Sequence, residues 1–87
     1  MPRASDADSA ASRRKLTYNE QRELSALPSR IETLEAEHTE LEAAAASPEF
    51  YKEGADAIRR TLDRIAEVEH ELLAAYTRLD ALKERAS

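Results

Sequence analysis

Residues 15–36 read KLTYNEQRELSALPSRIETLEA. Leu24, Leu27, Ile31 and Leu34 recur at intervals of three and four, the spacing of a single apolar helix face. Pro28 falls inside that stripe. It has no N–H to donate, and its ring crowds the carbonyl four residues back, so it must bend a helix or begin a new one. The stripe decides between the two. Leu24, Leu27, Ile31, Leu34, His38, Leu41 and Ala45 keep their phase through the proline, which a true break would lose. The stretch therefore reads as a short helical leader running into a longer helix, bent at or just before Pro28, with its sticky side intact.

The ends of this helix are also written locally. Thr17-Tyr18-Asn19-Glu20 fits a capping box, in which the Thr17 hydroxyl accepts from the Glu20 amide and the Glu20 carboxylate accepts from the Thr17 amide. Ser47-Pro48-Glu49-Phe50 reads as a stop and restart, with Ser47 capping and Pro48 at a first helical position. Gly54, the only glycine, is expected to take a left-handed conformation that ends this short turn. Asp56 is then the expected N-cap of a last helix. That helix carries its own stripe: Ile58, Leu62, Ile65, Val68, Leu72, Ala75, Leu79 and Leu82.

Composition agrees with an all-α chain. Of 87 residues one is Gly and three are Pro, while 36% are charged and only 5% aromatic. So few aromatics cannot fill a thick core, and the leucines must be buried along a seam between helices. Two amphipathic helices joined by about ten residues lie antiparallel when they pack within one chain. Folding near Tyr51 brings Ala45 to Ile58, Leu41 to Thr61 or Leu62, His38 to Ile65, Leu34 to Val68, Ile31 to Leu72, Leu27 to Ala75 or Tyr76, and Leu24 to Leu79. The expected fold is a two-stranded antiparallel coiled-coil hairpin with a short N-terminal helical leader, its arm roughly 30–40 Å long at 1.5 Å per residue. Residues 15–87 form this domain, and residues 1–14 read as a flexible linker or tail. A monomer is expected, with a four-helix or strand-swapped dimer as the other packing that the same period allows. Glu37 lies outside the seam and is expected to matter little to stability.

Several functions are excluded or disfavoured. There is no Cys, hence no disulfide and no thiol chemistry. No apolar run approaches the roughly 20 residues of a membrane span, and the N-terminus has no apolar core of a secretory signal, so a cytoplasmic location is expected. A two-helix arm offers no water-poor pocket for catalysis, so the chain alone is expected to be neither an enzyme nor a cofactor carrier. His38 and His70 lie far apart, and no metal site is expected of them. His38 is the one polar residue on the seam and is expected to bond a neighbouring carboxylate, Glu69 or Glu42. Phe50 and Tyr51 are expected to plug the hairpin end, and Tyr18 and Tyr76 to hold the leader against the base of the arm.

The segments Lys15–Glu35 (KLTYNEQRELSALPSRIETLE), Ser47–Tyr51 (SPEFY) and Ala74–Leu82 (AAYTRLDAL) together resemble the C-terminal domain of Uup-type ABC-F ATPases. The likeness covers Lys15 to about Leu82. It implies a small antiparallel coiled coil appended to tandem ATP-binding cassettes, of a kind associated with DNA binding, in parent proteins associated with the ribosome and with branched DNA intermediates. The cassettes are absent here: no Walker A loop is present, and one glycine could not build it. The chain is thus either an excised domain or a free-standing relative.

Nucleic-acid contact, with DNA or ribosomal RNA, would fall to two basic clusters. Arg13, Arg14, Lys15 and Arg22 form the first. Arg59, Arg60 and Arg64 form the second, with the alternative that Arg60 and Arg64 pair with acids such as Asp56 and Asp63. The formal net charge of −5 opposes tight binding. Glu32, Glu35, Glu37, Glu40 and Glu42 supply an acidic face with no Lys or Arg among residues 32–42. The competing reading is therefore a protein-interaction or spacer module, whose partner could be its own ATPase cassettes.

Overall fold

The structure, a computed structural model, describes residues 16–86. Helix α1 runs from Tyr18 to Ala45 and helix α2 from Ala55 to Ala86, joined by a 3-10 turn at Pro48–Lys52. The two helices pack along each other as a hairpin, so the expected antiparallel two-helix arm is the fold. At 1.5 Å per residue, α1 is about 42 Å long and α2 about 48 Å.

α1 begins where its capping box predicts. The Glu20 amide donates to the Thr17 hydroxyl at 3.1 Å, and the Thr17 amide donates to the Glu20 carboxylate at 3.0 Å. Pro28 sits inside α1 without ending it, so the leader is simply the first part of one helix. Pro28 is exposed, which gives water access to the side of the helix where its missing N–H leaves the Leu24 carbonyl without an amide partner. At the turn, the Ser47 hydroxyl accepts from the Glu49 amide at 3.2 Å, with Pro48 in the first turn. Gly54 has φ +99°, the left-handed region open to a residue without a Cβ. Its carbonyl accepts the first bond of α2, from the Ile58 amide at 3.0 Å. α2 therefore starts two residues earlier than expected, at Ala55 rather than Ala57. Asp56 is not its cap but lies in its first turn, where a carboxylate favours the helix dipole.

The core is the seam. Leu27, Ile31, Leu34, Val68, Ala75, Leu79 and Leu82 are buried along it. Leu16, Leu24 and Leu72 pack on the cluster formed by Leu27, Ile31, Ala75, Leu79 and Leu82. The tip is looser. Leu62 is 49% exposed, because the step of three from Ile58 puts Thr61 on the seam and Leu62 on its flank. Phe50 closes this end and is 2% exposed. Tyr51 does not share that role: it is 74% exposed and meets the Phe50 ring edge-on, with centroids 5.2 Å apart. Nor does Tyr18 hold the base, being 75% exposed. Tyr76 acts midway along the arm, where its hydroxyl donates to Glu35 of α1.

Polar contacts across the seam show the alignment of the helices. Let Leu24, Ile31, His38 and Ala45 in α1, and Ile58, Ile65, Leu72 and Leu79 in α2, be heptad positions a. Residues 23, 30 and 37, and 64, 71 and 78, then all fall at g. These are the residues that pair. Arg78 donates two bonds to Glu23, at 2.7 and 2.9 Å. Arg30 donates to Glu71 at 2.9 Å. Arg64 donates two bonds to Glu37, at 2.6 and 2.8 Å. Each pair lies one residue before both members of an expected layer (Leu24 with Leu79, Ile31 with Leu72, His38 with Ile65). The alignment read from the leucines thus holds to within a turn. Glu37, expected to be idle, is one rung of this ladder.

Two stability outcomes follow, each checked by urea unfolding followed through helix content. Ile31→Ala removes a buried seam side chain and should cost roughly 2–5 kcal/mol, whereas Leu73→Ala, at an exposed position, should change stability by less than about 0.5 kcal/mol. Glu23→Arg should lower the midpoint by setting two cations face to face, and adding Arg78→Glu should restore it. A double variant as weak as the single one would show that this rung does not act across the seam.

Candidate functional site

The arm presents three groups of charged and polar side chains, at its base, its middle and its tip. At the base, α1 begins beside the end of α2. The Glu20 carboxylate there accepts from the Thr17 amide and from the Arg85 guanidinium of α2. Its side chain is 16% exposed. The bond from the Thr17 amide and the Arg85 charge hold its carboxyl below the usual carboxylate range, against the opposing effect of burial. One residue thus caps α1 and ties it to the far end of the chain. Nearby, the Arg22 guanidinium lies over the Tyr18 ring, 5.8 Å from its centroid. This pair lines a shallow surface depression with Gln21, Ser25 and Ala26.

In the middle, Arg64 is half-buried and holds three carboxylates at once: Glu37 across the seam, and Glu67 and Glu71 along its own helix at 3.3 and 3.2 Å. Its expected partners, Asp56 and Asp63, are not the ones it takes. A side chain so engaged is fixed and fully charged, with its donors directed at acids of its own chain. Next to Glu37 in the chain, His38 stands between two carboxylates. Its Nε2 lies 3.0 Å from Glu69 and its Nδ1 3.4 Å from Glu42. Of the two carboxylates expected to bond this histidine, it meets both. The bond to Glu69, with the charges of Glu42 and Glu69, raises the imidazole above its ordinary value of 6.5.

At the tip, Arg59 and Arg60 are exposed in the first turns of α2. Arg59 lines a shallow groove with Ala55, Ile58, Leu62 and Asp63. Neither arginine makes an ion pair among the described residues. Of the seven residues proposed for nucleic-acid contact, Arg13, Arg14 and Lys15 lie outside the described residues. The other four do not converge. Arg22 is at the base, Arg59 and Arg60 are at the tip, and the rest of α1, roughly 35 Å at 1.5 Å per residue, separates them. The acidic face also divides: Glu37 is in the ladder, Glu42 is on His38, and Glu35 accepts from Tyr76. Sequence reasoning missed Arg30, Arg78 and Arg85 as structural cations. The signal for the first two was present, as opposite charges repeating every seven residues on both helices.

A family model described as the ABC transporter C-terminal domain matches residues 15–84. The chain belongs to this family. Two curated relatives from Haemophilus influenzae, named ATP-binding protein Uup-like and ATP-binding protein Uup, are each 41% identical to it over 71 residues, 82% of this chain. The domain is therefore of the Uup type, as the resemblance of its opening segment implies. It spans 16% of the length of the first relative and 11% of the second. No solved structure matches it significantly. No helix among the described residues is long and apolar enough to cross a membrane.

The titrating groups of this C-terminal domain set its response to pH. Glu20, Glu23 and Glu37 all have lowered pKa values, Glu23 mainly through its bonds from Arg78 and Glu37 through those from Arg64. Their contribution is present above 4.5 and lost as pH falls through the folded values. His38 has a raised pKa, so its contribution is complete below 6.5 and lost as pH rises through its folded value. Thermal unfolding across pH should therefore show the highest midpoint between 4.5 and 6.5. His38→Gln should flatten the decline above 6.5 and leave the acid limb in place. A midpoint indifferent to this substitution would remove His38 from the account.

Proposed function

We propose that this domain is the accessory arm of an ATP-binding cassette protein of the ABC-F type, working in the cytoplasm as a monomeric hairpin. Through it the parent protein contacts the phosphate backbone of a nucleic acid, DNA or ribosomal RNA. The cassettes stand in the longer chain and hydrolyse ATP, while the arm has no chemistry of its own. The observation that carries this reading is the division among its arginines. Arg30, Arg64, Arg78 and Arg85 are committed to carboxylates of the chain, yet Arg59 and Arg60 at the tip are exposed without a described ion-pair partner. Cations left in water at the end of a stiff lever suit phosphate contact, where condensed counterions are released on binding. Since Arg22 is at the other end, a strand touching both clusters would have to run along the arm rather than across it.

The net charge of −5 favours a second reading, in which the arm is a spacer or docks on protein, with its own cassettes as the first partner. Titration of the chain against duplex and branched DNA in 20 to 200 mM salt separates the two. Under the first reading, binding is strongest at low salt. Arg59→Glu with Arg60→Glu should weaken it on all sequences alike and reduce the salt slope by about one per contact removed, with helix content unchanged. Absence of binding at the lowest salt, together with retention of the arm by a cassette fragment, would establish the second.

A further inference from the structure

One place on the arm departs from its own charge pattern. On the flank where residues 23, 30 and 37 meet 78, 71 and 64, every cross-helix pair joins opposite signs. On the other flank, heptad position e, Glu42 and Glu69 stand on facing helices beside the same histidine. Two carboxylates so placed repel each other, and His38 stands between them, with Nε2 towards Glu69 and Nδ1 towards Glu42. His38 supplies the third group. It is a seam residue whose side chain is 21% exposed, against 58% and 57% for the two glutamates. One ligand atom from each of the three lies within 4.8 Å of the others.

We propose that His38, Glu42 and Glu69 form a divalent transition-metal site that staples α1 to α2, with zinc as its ion. One imidazole nitrogen and two carboxylate oxygens are ligands that zinc takes at about 2.0–2.2 Å, with water completing four-coordination. His38 and Glu42 are four apart on one helix and so share a face, while Glu69 comes from the other helix. The histidine is anchored by the seam, and the exposed glutamates have room to close on an ion. Magnesium and calcium prefer all-oxygen shells, so the imidazole selects against them. Sequence spacing within either helix does not reveal the site, because only the hairpin brings Glu69 to the other two. The proposal does not depend on nucleic-acid contact.

The test uses the full chain at pH 7.5, with calorimetric titration of zinc chloride and thermal melts in zinc, magnesium or chelator. Zinc should bind one ion per chain and raise the melting temperature above that in chelator, and magnesium should not raise it. Glu69→Gln should remove the zinc shift. His38→Leu should also remove it, and leucine on an apolar seam keeps the hairpin folded, so this loss cannot be ascribed to unfolding. Absence of a zinc shift in the unaltered chain would overturn the proposal. So would an equal shift in both variants, which would place the ion elsewhere, for example at His70 with Glu67.

Discussion

A stripe of leucines can hold two helices together but cannot tell them where to stop sliding. Moving α2 by one heptad past α1 would still set apolar residues against apolar residues. What changes is the ladder beside them. Glu23, Arg30 and Glu37 alternate in sign along α1, and Arg78, Glu71 and Arg64 answer them in the reverse sense along α2. A slip of seven residues puts Arg30 opposite Arg64 or Arg78, and sets Glu71 against Glu23 or Glu37. Exposed ion pairs contribute little net stability, so the ladder is better understood as specifying register than as supplying strength. The strength comes from the buried side chains between Leu27 and Leu34 and between Val68 and Leu82. All else on the arm depends on that register: Glu20 reaching Arg85, Tyr76 reaching Glu35, and His38 reaching Glu69.

The connection works with the ladder. Paired charges alone do not distinguish one chain folded back from two chains exchanging helices, since either arrangement satisfies the same rungs. In this chain a short turn joins the two helices directly. Ser47 caps it, Pro48 starts it, Phe50 is buried in it, and Gly54 supplies the positive φ that lets α2 depart. A turn so defined keeps α2 beside its own α1 at high effective concentration. The placement of Arg59 and Arg60 at the end of the arm follows from this turn.

Much of the fold was legible in the sequence because its signals are local. Thr17 with Glu20, Ser47 with Pro48, and Gly54 each act within a few residues, and the apolar phase through Pro28 is a property of one helix. The misreadings arose where partners come from elsewhere in the chain. Asp56 seemed a cap because it is the first capping residue after Gly54, yet the Gly54 carbonyl already accepts the first helical bond. Tyr18 and Tyr51 seemed core residues because aromatics gain most from burial. However, a two-helix seam is a few side chains wide, and Phe50 alone fills its end. Arg64 was grouped with Arg59 and Arg60 by proximity in sequence. On a helix those neighbours point different ways, and only Arg64 faces α1.

That last distinction bears on what a small acidic domain can do with its arginines. An arginine on the flank of the seam is bonded to carboxylates of its own chain and is not available to a partner without breaking the register. An arginine on the outward side costs the fold nothing and can be used freely. The domain thus separates the cations that define its shape from those it can offer, and does so by heptad position rather than by number. Net charge is consequently a poor guide to which of its cations are exposed, because three of its arginines are paired in the ladder and a fourth, Arg85, is paired with Glu20. The arginines that make no ion pair among the described residues, Arg22, Arg59 and Arg60, lie towards the two ends of the arm, where the seam no longer dictates the residue.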